Sequence, residues 1–227
     1  MTRPVEAVVL DMDGLMLDTE HLYKFAWQKA ASQLGYPLDD SFYFTLVGKT
    51  NAAGEDALTG RFGQDFPMAN FRQSWSDIWR ETVRAEGIPL KPGLTDLLEY
   101  LEGSKIPAAV ATSSDQEYAA LSLGAAKLDP QRFVHIVTGE QVAKGKPAPD
   151  IYLEAARRLG VKPGGCLAIE DSDAGILSAS GAGMMAVMVP DLKPPSNEAR
   201  HAAFRVVSSL HDVVALLRQG TQPEDSA

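Results

Sequence analysis

The stretch Ala7-Val8-Val9-Leu10-Asp11-Met12-Asp13-Gly14-Leu15-Met16-Leu17-Asp18-Thr19 decides how this chain reads. Its apolar run shows no alternation and stops abruptly at an acid. Short continuous runs of that kind fit strands buried on both faces, the habit of parallel sheets. Similar runs recur at Ala108–Ala111, Phe133–Val137, Cys166–Ile169 and Met185–Val189. Helical spacing lies between several of them. Leu94, Leu97, Leu98 and Leu101 follow Pro92-Gly93, and Ile151, Ala155 and Leu159 follow Pro149-Asp150 and close at Gly160. A last stripe of Leu210, Val213, Val214 and Leu217 ends at Gly220, before a polar tail expected to fray. Strands alternating with helices predict an α/β fold built on a doubly wound parallel sheet.

The long segment between Leu10 and Ala108 breaks the alternation. Leu22, Ala26, Ala30 and Leu34, with Phe25, form one helical stripe closed by Gly35. Phe71, Trp75, Ile78, Trp79 and Val83 form another. Residues 19–87 therefore read as a helical insert, with Trp75 and Trp79 packing inside it.

Composition narrows the function. The 227 residues are 45% apolar and 22% charged, ordinary globular usage for a chain that needs no disulfide or structural metal. Cys166 is the only cysteine and sits in an apolar run, which predicts a buried, inert thiol. Lys and Arg number 21 against 30 Asp and Glu, a net charge of −9 with no basic run. That balance argues against nucleic acid or an anionic membrane as partner. No apolar stretch approaches the ~20 residues of a membrane span, and no export signal is visible, so a cytoplasmic location is expected.

Chemistry concentrates where the apolar runs stop. In open α/β sheets, ligands bind just past the carboxyl ends of the strands. Asp11 and Asp13 follow the first run, and acids so placed repel one another unless a cation lies between them; at 4 Å that is about 4 kcal/mol at an effective dielectric of 20. Thr112-Ser113-Ser114 brings hydroxyls and backbone N–H groups suited to an oxyanion, besides being an ordinary helix-capping turn. Lys144-Gly145-Lys146-Pro147 places lysines beside a stiff turn, Lys146 as the fixed charge and Lys144 as the solvated one. Glu170-Asp171-Ser172-Asp173 opens a helix at Ala174-Gly175, where acids also suit the helix N-terminus. Hard oxygen donors around one bound anion describe a magnesium–phosphate site.

These residues fall in a known pattern. The chain resembles the haloacid dehalogenase-like superfamily of phosphohydrolases, in the branch near β-phosphoglucomutase and the small sugar- or nucleotide-phosphate phosphatases. The matching motifs, in order, are Asp11-x-Asp13-Gly14, Thr112, Lys146-Pro147-x-Pro149-Asp150 and Glu170-Asp171-Ser172-x-x-Gly175. The resemblance spans Glu6 to Leu217 and implies a Rossmann-like core over 1–18 and 88–227 with a helical cap over 19–87. It implies Asp11 as the nucleophile that forms an aspartyl-phosphate and Asp13 as the acid and base. It implies Mg2+ on the Asp11 carboxylate, the Asp13 main-chain carbonyl and Asp171, with Glu170 either a ligand or next to one. Thr112 and Lys146, helped by Ser113, would hold the phosphoryl oxygens.

The resemblance implies a small phosphorylated metabolite as substrate: a sugar phosphate, a nucleotide or a phosphoglycolate-like ester. No obligate protein partner is evident. Haloacid dehalogenation needs no metal and lacks the second aspartate, so Asp13 and Asp171 argue against it. A phosphoglucomutase is the alternative, but the histidine and arginine that mutases carry in the cap fall near Tyr23 and Asn51. Gly48-Lys49-Thr50 imitates the end of a P-loop without its leading glycine. Gly48, Lys49, Thr50 and Asn51 are instead expected to face the substrate's leaving group from a cap loop. His21, His135, His201 and His211 share no metal-ligand spacing, and the methionines read as core filler.

Overall fold

The computed structural model of the chain describes residues 4–47 and 51–219. They divide into two compact units, one holding the residues up to Leu17 and from Pro89 onward, the other Asp18–Ile88. The first unit is built on strands β1 (Ala7–Leu10), β2 (Ala108–Ala111), β3 (His135–Val137), β4 (Cys166–Glu170), β5 (Met185–Met188) and β6 (Arg205–Val206). They form one six-stranded sheet in the order β3-β2-β1-β4-β5-β6. Every pairing is parallel. Strand β1 lies at the centre, with Leu10 beside Val110 on one side and Ile169 on the other. Its residues have no exposure at all, although alternate side chains point to opposite faces, so both faces are covered.

The second unit is helical: α1 (Glu20–Gln33), α2 (Asp40–Leu46), α3 (Asn51–Phe62) and α4 (Met68–Glu86). Its interior is aromatic. Trp27 meets Phe71 edge-on at 5.1 Å between ring centres, and Tyr36 meets Phe66 at 5.0 Å. One member of the expected α1 stripe is displaced: Phe25 is 47% exposed, with the Lys29 ammonium 5.2 Å from its ring centre. At 3.6 residues per turn Phe25 falls on the far side of Leu22 from Ala26 and Ala30. Trp27 and Ala31 take the buried positions instead.

Helices α5 (Leu94–Gly103), α6 (Gln116–Ala125), α7 (Asp150–Leu159), α8 (Asp173–Gly181), α9 (Asn197–Ala202) and α10 (Leu210–Gln219) complete the first unit. On one face Ile151, Tyr152 and Ala155 of α7 and Ile176 and Ala179 of α8 pack with Ala7, Val9, Cys166 and Ala168. Burying each large aliphatic side chain of such a layer contributes about 1.5–3 kcal/mol. Cys166 is buried as expected, and burial pushes its thiol up to about 11. The run at Phe133 becomes a strand only at His135, because Pro130–Arg132 form a turn of 3-10 helix. Strand β6 spans two residues and left no run to read. Among the described residues, no helix is long and apolar enough to cross a membrane.

The candidate active site

The strand order reverses at β1, where β2 continues the sheet to one side and β4 to the other, and such a reversal opens a crevice at the carboxyl ends. Asp11 is the first residue beyond β1 and Glu170 the last of β4. The Asp11 N–H donates to the Ile169 carbonyl at 3.0 Å, so the sheet's own hydrogen bonding fixes its backbone. Asp11 is 7% exposed and Glu170 has no exposure.

The Lys146 ammonium joins these acids. It contacts Asp11 Oδ1, donates to Glu170 Oε1 at 2.6 Å and donates to the Ala111 carbonyl at 3.0 Å. Burial, reinforced by the charges of Glu170 and Asp13, pushes the Asp11 carboxyl up to about 8 against the pull of Lys146. The flanking carboxylates outweigh burial at Lys146 and hold it above the ordinary lysine range. The site therefore sets the Lys146 ammonium beside a carboxyl that burial biases toward its protonated form. Lys144, by contrast, is exposed.

Glu170 has all its acceptor sites engaged. Besides Lys146, its Oε1 accepts from the Tyr152 hydroxyl at 2.7 Å. Its Oε2 accepts from the Ser172 hydroxyl at 3.0 Å and from the N–H groups of Asp171 and Ser172 at 3.2 and 3.3 Å. Ser172 also caps α8, its oxygen accepting from the Gly175 N–H at 3.1 Å. A Cβ on Gly175 would stand 1.8 Å from the Glu170 carboxyl carbon, which explains a glycine in the first turn of that helix.

Asp13 faces the hydroxyls past β2. Its Oδ2 accepts from Ser114 Oγ at 3.0 Å and from Thr112 Oγ1 at 3.4 Å, and its Oδ1 accepts from the Tyr118 hydroxyl at 3.2 Å. Thr112 is buried and accepts from the Ser114 N–H at 3.1 Å. Ser113 is exposed, so alternation along the chain gives Ser114 the contact with Asp13. A candidate metal seat lies beside this group. Asp11, Glu170 and Asp171 each offer a carboxylate oxygen within 4.8 Å of the others. The donors are hard oxygens, the set that suits Mg2+ or Ca2+. Gly14, at φ +79°, leaves room there, since a Cβ would fall 2.4 Å from Asp171 Oδ2. With Glu170 already saturated, Asp11 and Asp171 are the carboxylates best placed to take the ion.

The structure thus brings Asp11, Asp13, Thr112, Lys146, Glu170 and Asp171 to one end of the sheet. Of the hydroxyls in Thr112-Ser113-Ser114 it turns Ser114, not Ser113, to Asp13, and it adds Tyr118 and Tyr152, which the sequence reading passed over. A tyrosine among the inward positions of α7 was the available signal, because a buried phenol needs a partner for its hydroxyl. Gly48, Lys49 and Thr50 lie outside the described residues, as does the Asn51 side chain at the start of α3. Tyr23, in the second unit, is half-buried and stacked on Trp79 with ring centres 5.9 Å apart.

The haloacid dehalogenase-like hydrolase family matches residues 5–183. The chain belongs to that family. This hydrolase is 34% identical over 220 residues to a probable pseudouridine-5'-phosphatase of Drosophila melanogaster, covering 92% of each chain. It is 31% identical to the phosphorylated carbohydrates phosphatase of Thermotoga maritima, covering 95% of this chain and 92% of the other. Among solved structures it resembles a putative β-phosphoglucomutase from Thermotoga maritima, with a TM-score of 0.80 and 29% identity, over 94% of this chain and 99% of that one.

Proposed function

We propose that this phosphoric monoester hydrolase removes phosphate from a small phosphorylated metabolite through an aspartyl-phosphate on Asp11, with Mg2+ held by Asp11, Asp171 and the Asp13 main-chain carbonyl. The observation that carries the reading is Asp11 in contact with the buried Lys146 at the end of β1, with the Asp13 carboxylate tethered beside them. An Asp11 oxygen attacks phosphorus and forms the new O–P bond as the ester bond breaks. Asp13 delivers a proton to the leaving oxygen, then takes one from the water that cleaves the aspartyl-phosphate. Thr112 and Lys146, helped by Ser113, hold the phosphoryl oxygens as their charge redistributes. A divalent ion held by Asp11, Asp171 and the Asp13 main-chain carbonyl would supply positive charge to the same oxygens and would keep Asp11 deprotonated. Lys146, with the charge such an ion would add, would attract a phosphate dianion despite the chain's net charge of −9.

Support for a small phosphorylated metabolite comes from relatives named for pseudouridine-5'-phosphate and for phosphorylated carbohydrates. The second unit acts in this reading as a cap that selects the leaving group, through Gly48, Lys49, Thr50 and Asn51, in a cytoplasmic enzyme. The β-phosphoglucomutase name of one structural relative keeps phosphoryl transfer as the second reading. Tyr23 weighs against it, since a tyrosine stacked on Trp79 provides no fixed positive charge for a second phosphate. The deciding experiment is phosphate release from a panel of phosphomonoesters with Mg2+, followed by β-glucose-1-phosphate with catalytic glucose-1,6-bisphosphate. Hydrolysis yields inorganic phosphate. Rapid glucose-6-phosphate formation without phosphate release would establish the mutase.

A further inference from the structure

Tyr152 takes part in none of these steps, yet its position is tied to them. It lies on α7 with no exposure, one of the largest side chains in the fold to be fully buried. Its hydroxyl donates to Glu170 Oε1 at 2.7 Å, and the same oxygen accepts from Lys146 at 2.6 Å. The Lys146 ammonium also stands 5.3 Å from the centre of the Tyr152 ring. One carboxylate oxygen is therefore shared by a phenol and the cation that contacts Asp11. Two donors on one oxygen divide its charge, so the pull of Glu170 on Lys146 depends on the hydroxyl.

We propose that the Tyr152 hydroxyl is a positioning group for phosphate binding: by occupying Glu170 Oε1 it restrains the pull of Glu170 on Lys146 and leaves the ammonium available to an incoming phosphoryl oxygen. The inference rests on the reading of Lys146 as a phosphate-holding group. Tyr152 itself touches no reacting atom in this scheme. It acts through Glu170.

The substitution Tyr152→Phe isolates the effect, because the ring beneath Lys146 stays and only the hydroxyl leaves. Glu170 Oε1 then has Lys146 as its remaining side-chain donor and draws it away from the phosphate site. The dissociation constant for orthophosphate, titrated calorimetrically in saturating Mg2+, should rise by about three- to tenfold, the size of one ordinary hydrogen bond's net contribution, because the lost hydroxyl acts on phosphate only through Glu170 and Lys146. KM for p-nitrophenyl phosphate should rise with it while kcat changes little, the pattern for an interaction shared by ground and transition states. A packing role alone would lower the melting temperature and leave the orthophosphate constant where it was.

A double-mutant cycle with Glu170→Gln locates the route. If Tyr152 acts through the Glu170 charge, Tyr152→Phe has little further effect in the Glu170→Gln background. Multiplying factors would overturn that route. Lys146→Met separates the proposal from its premise. Orthophosphate bound equally by wild type and Lys146→Met would remove the premise and the proposal together. Weak binding by Lys146→Met with wild-type binding by Tyr152→Phe would overturn the proposal alone.

Discussion

Gly175→Ala tests how tightly the carboxylate end of β4 is built. Gly175 lies in the first turn of α8, where alanine would ordinarily favour the helix by about 1 kcal/mol. Here the added Cβ would stand 1.8 Å from the Glu170 carboxyl carbon and 1.9 and 2.1 Å from its oxygens. Glu170 has no exposure, and Lys146, Tyr152 and Ser172 hold it, so it has no solvent to swing into. Overpacking of this kind costs about 1–3 kcal/mol. Displacing the carboxylate also breaks at least one hydrogen bond to a charged group, costing about 1.5–3 kcal/mol more. Set against the helix gain, the net destabilisation is about 1.5–5 kcal/mol, or roughly 3–20 °C in melting temperature for a chain of this length. Urea denaturation measures it, and kcat/KM should fall as well because Lys146 moves with Glu170. Gly124→Ala in α6 is the control: nothing lies within 4 Å of its added Cβ, so stability should hold or rise. A Gly175→Ala protein within about 0.5 kcal/mol of wild type would refute the steric argument, being no larger than an ordinary surface substitution.

Asp11→Asn should abolish turnover with the fold intact, whereas Asp13→Asn should keep some reaction toward p-nitrophenyl phosphate, whose leaving group needs little acid, and accumulate phosphoenzyme; mass spectrometry separates the two. Activity should vanish in chelator and return with Mg2+, and Ca2+ should inhibit because it accepts looser coordination; full activity in chelator would remove the metal from the mechanism. Stability should also depend on pH. The Asp11 carboxyl rises in the metal-free fold from 3.8 to about 8, so unfolding releases its proton in that window. That contribution makes the chelated protein less stable as pH rises from about 4 to 8. Mg2+ should restore stability at the alkaline end, and Asp11→Asn should flatten the slope, both read by thermal denaturation.

Much of this was legible because the central strands are buried on both faces. An apolar run ending in a polar candidate residue marks β1 at Leu10–Asp11, β2 at Ala111–Thr112 and β4 at Ile169–Glu170, with each change of composition where backbone meets crevice. Strand β6 stayed hidden because it spans only Arg205 and Val206, one of them charged and both half-buried, too short to leave an apolar run. Phe25 misled because hydrophobicity alone says nothing of helix angle. Tyr118 and Tyr152 escaped for another reason. Each acts by where its hydroxyl ends up after folding, and contacts between Tyr118 and Asp13 or Tyr152 and Glu170 join distant parts of the chain.

Leu17 and Leu90 are paired across an antiparallel bridge, and the Lys91 N–H donates to the Met16 carbonyl at 2.9 Å. The chain leaves the sheet-bearing unit and comes back to it side by side, as if the helical segment were spliced into a single hairpin. The closure is made by backbone, so it is indifferent to what is spliced in. Loop-closure entropy grows slowly, by about 0.6 kcal/mol for each doubling of length, so a longer, shorter or unrelated segment would disturb the register of β1 little. Recombination could therefore exchange that segment as one cassette while Asp11, Asp13, Lys146 and Asp171 are inherited unchanged. A scaffold joined in this way can change what it carries in the insert without altering the residues at the carboxyl end of its sheet.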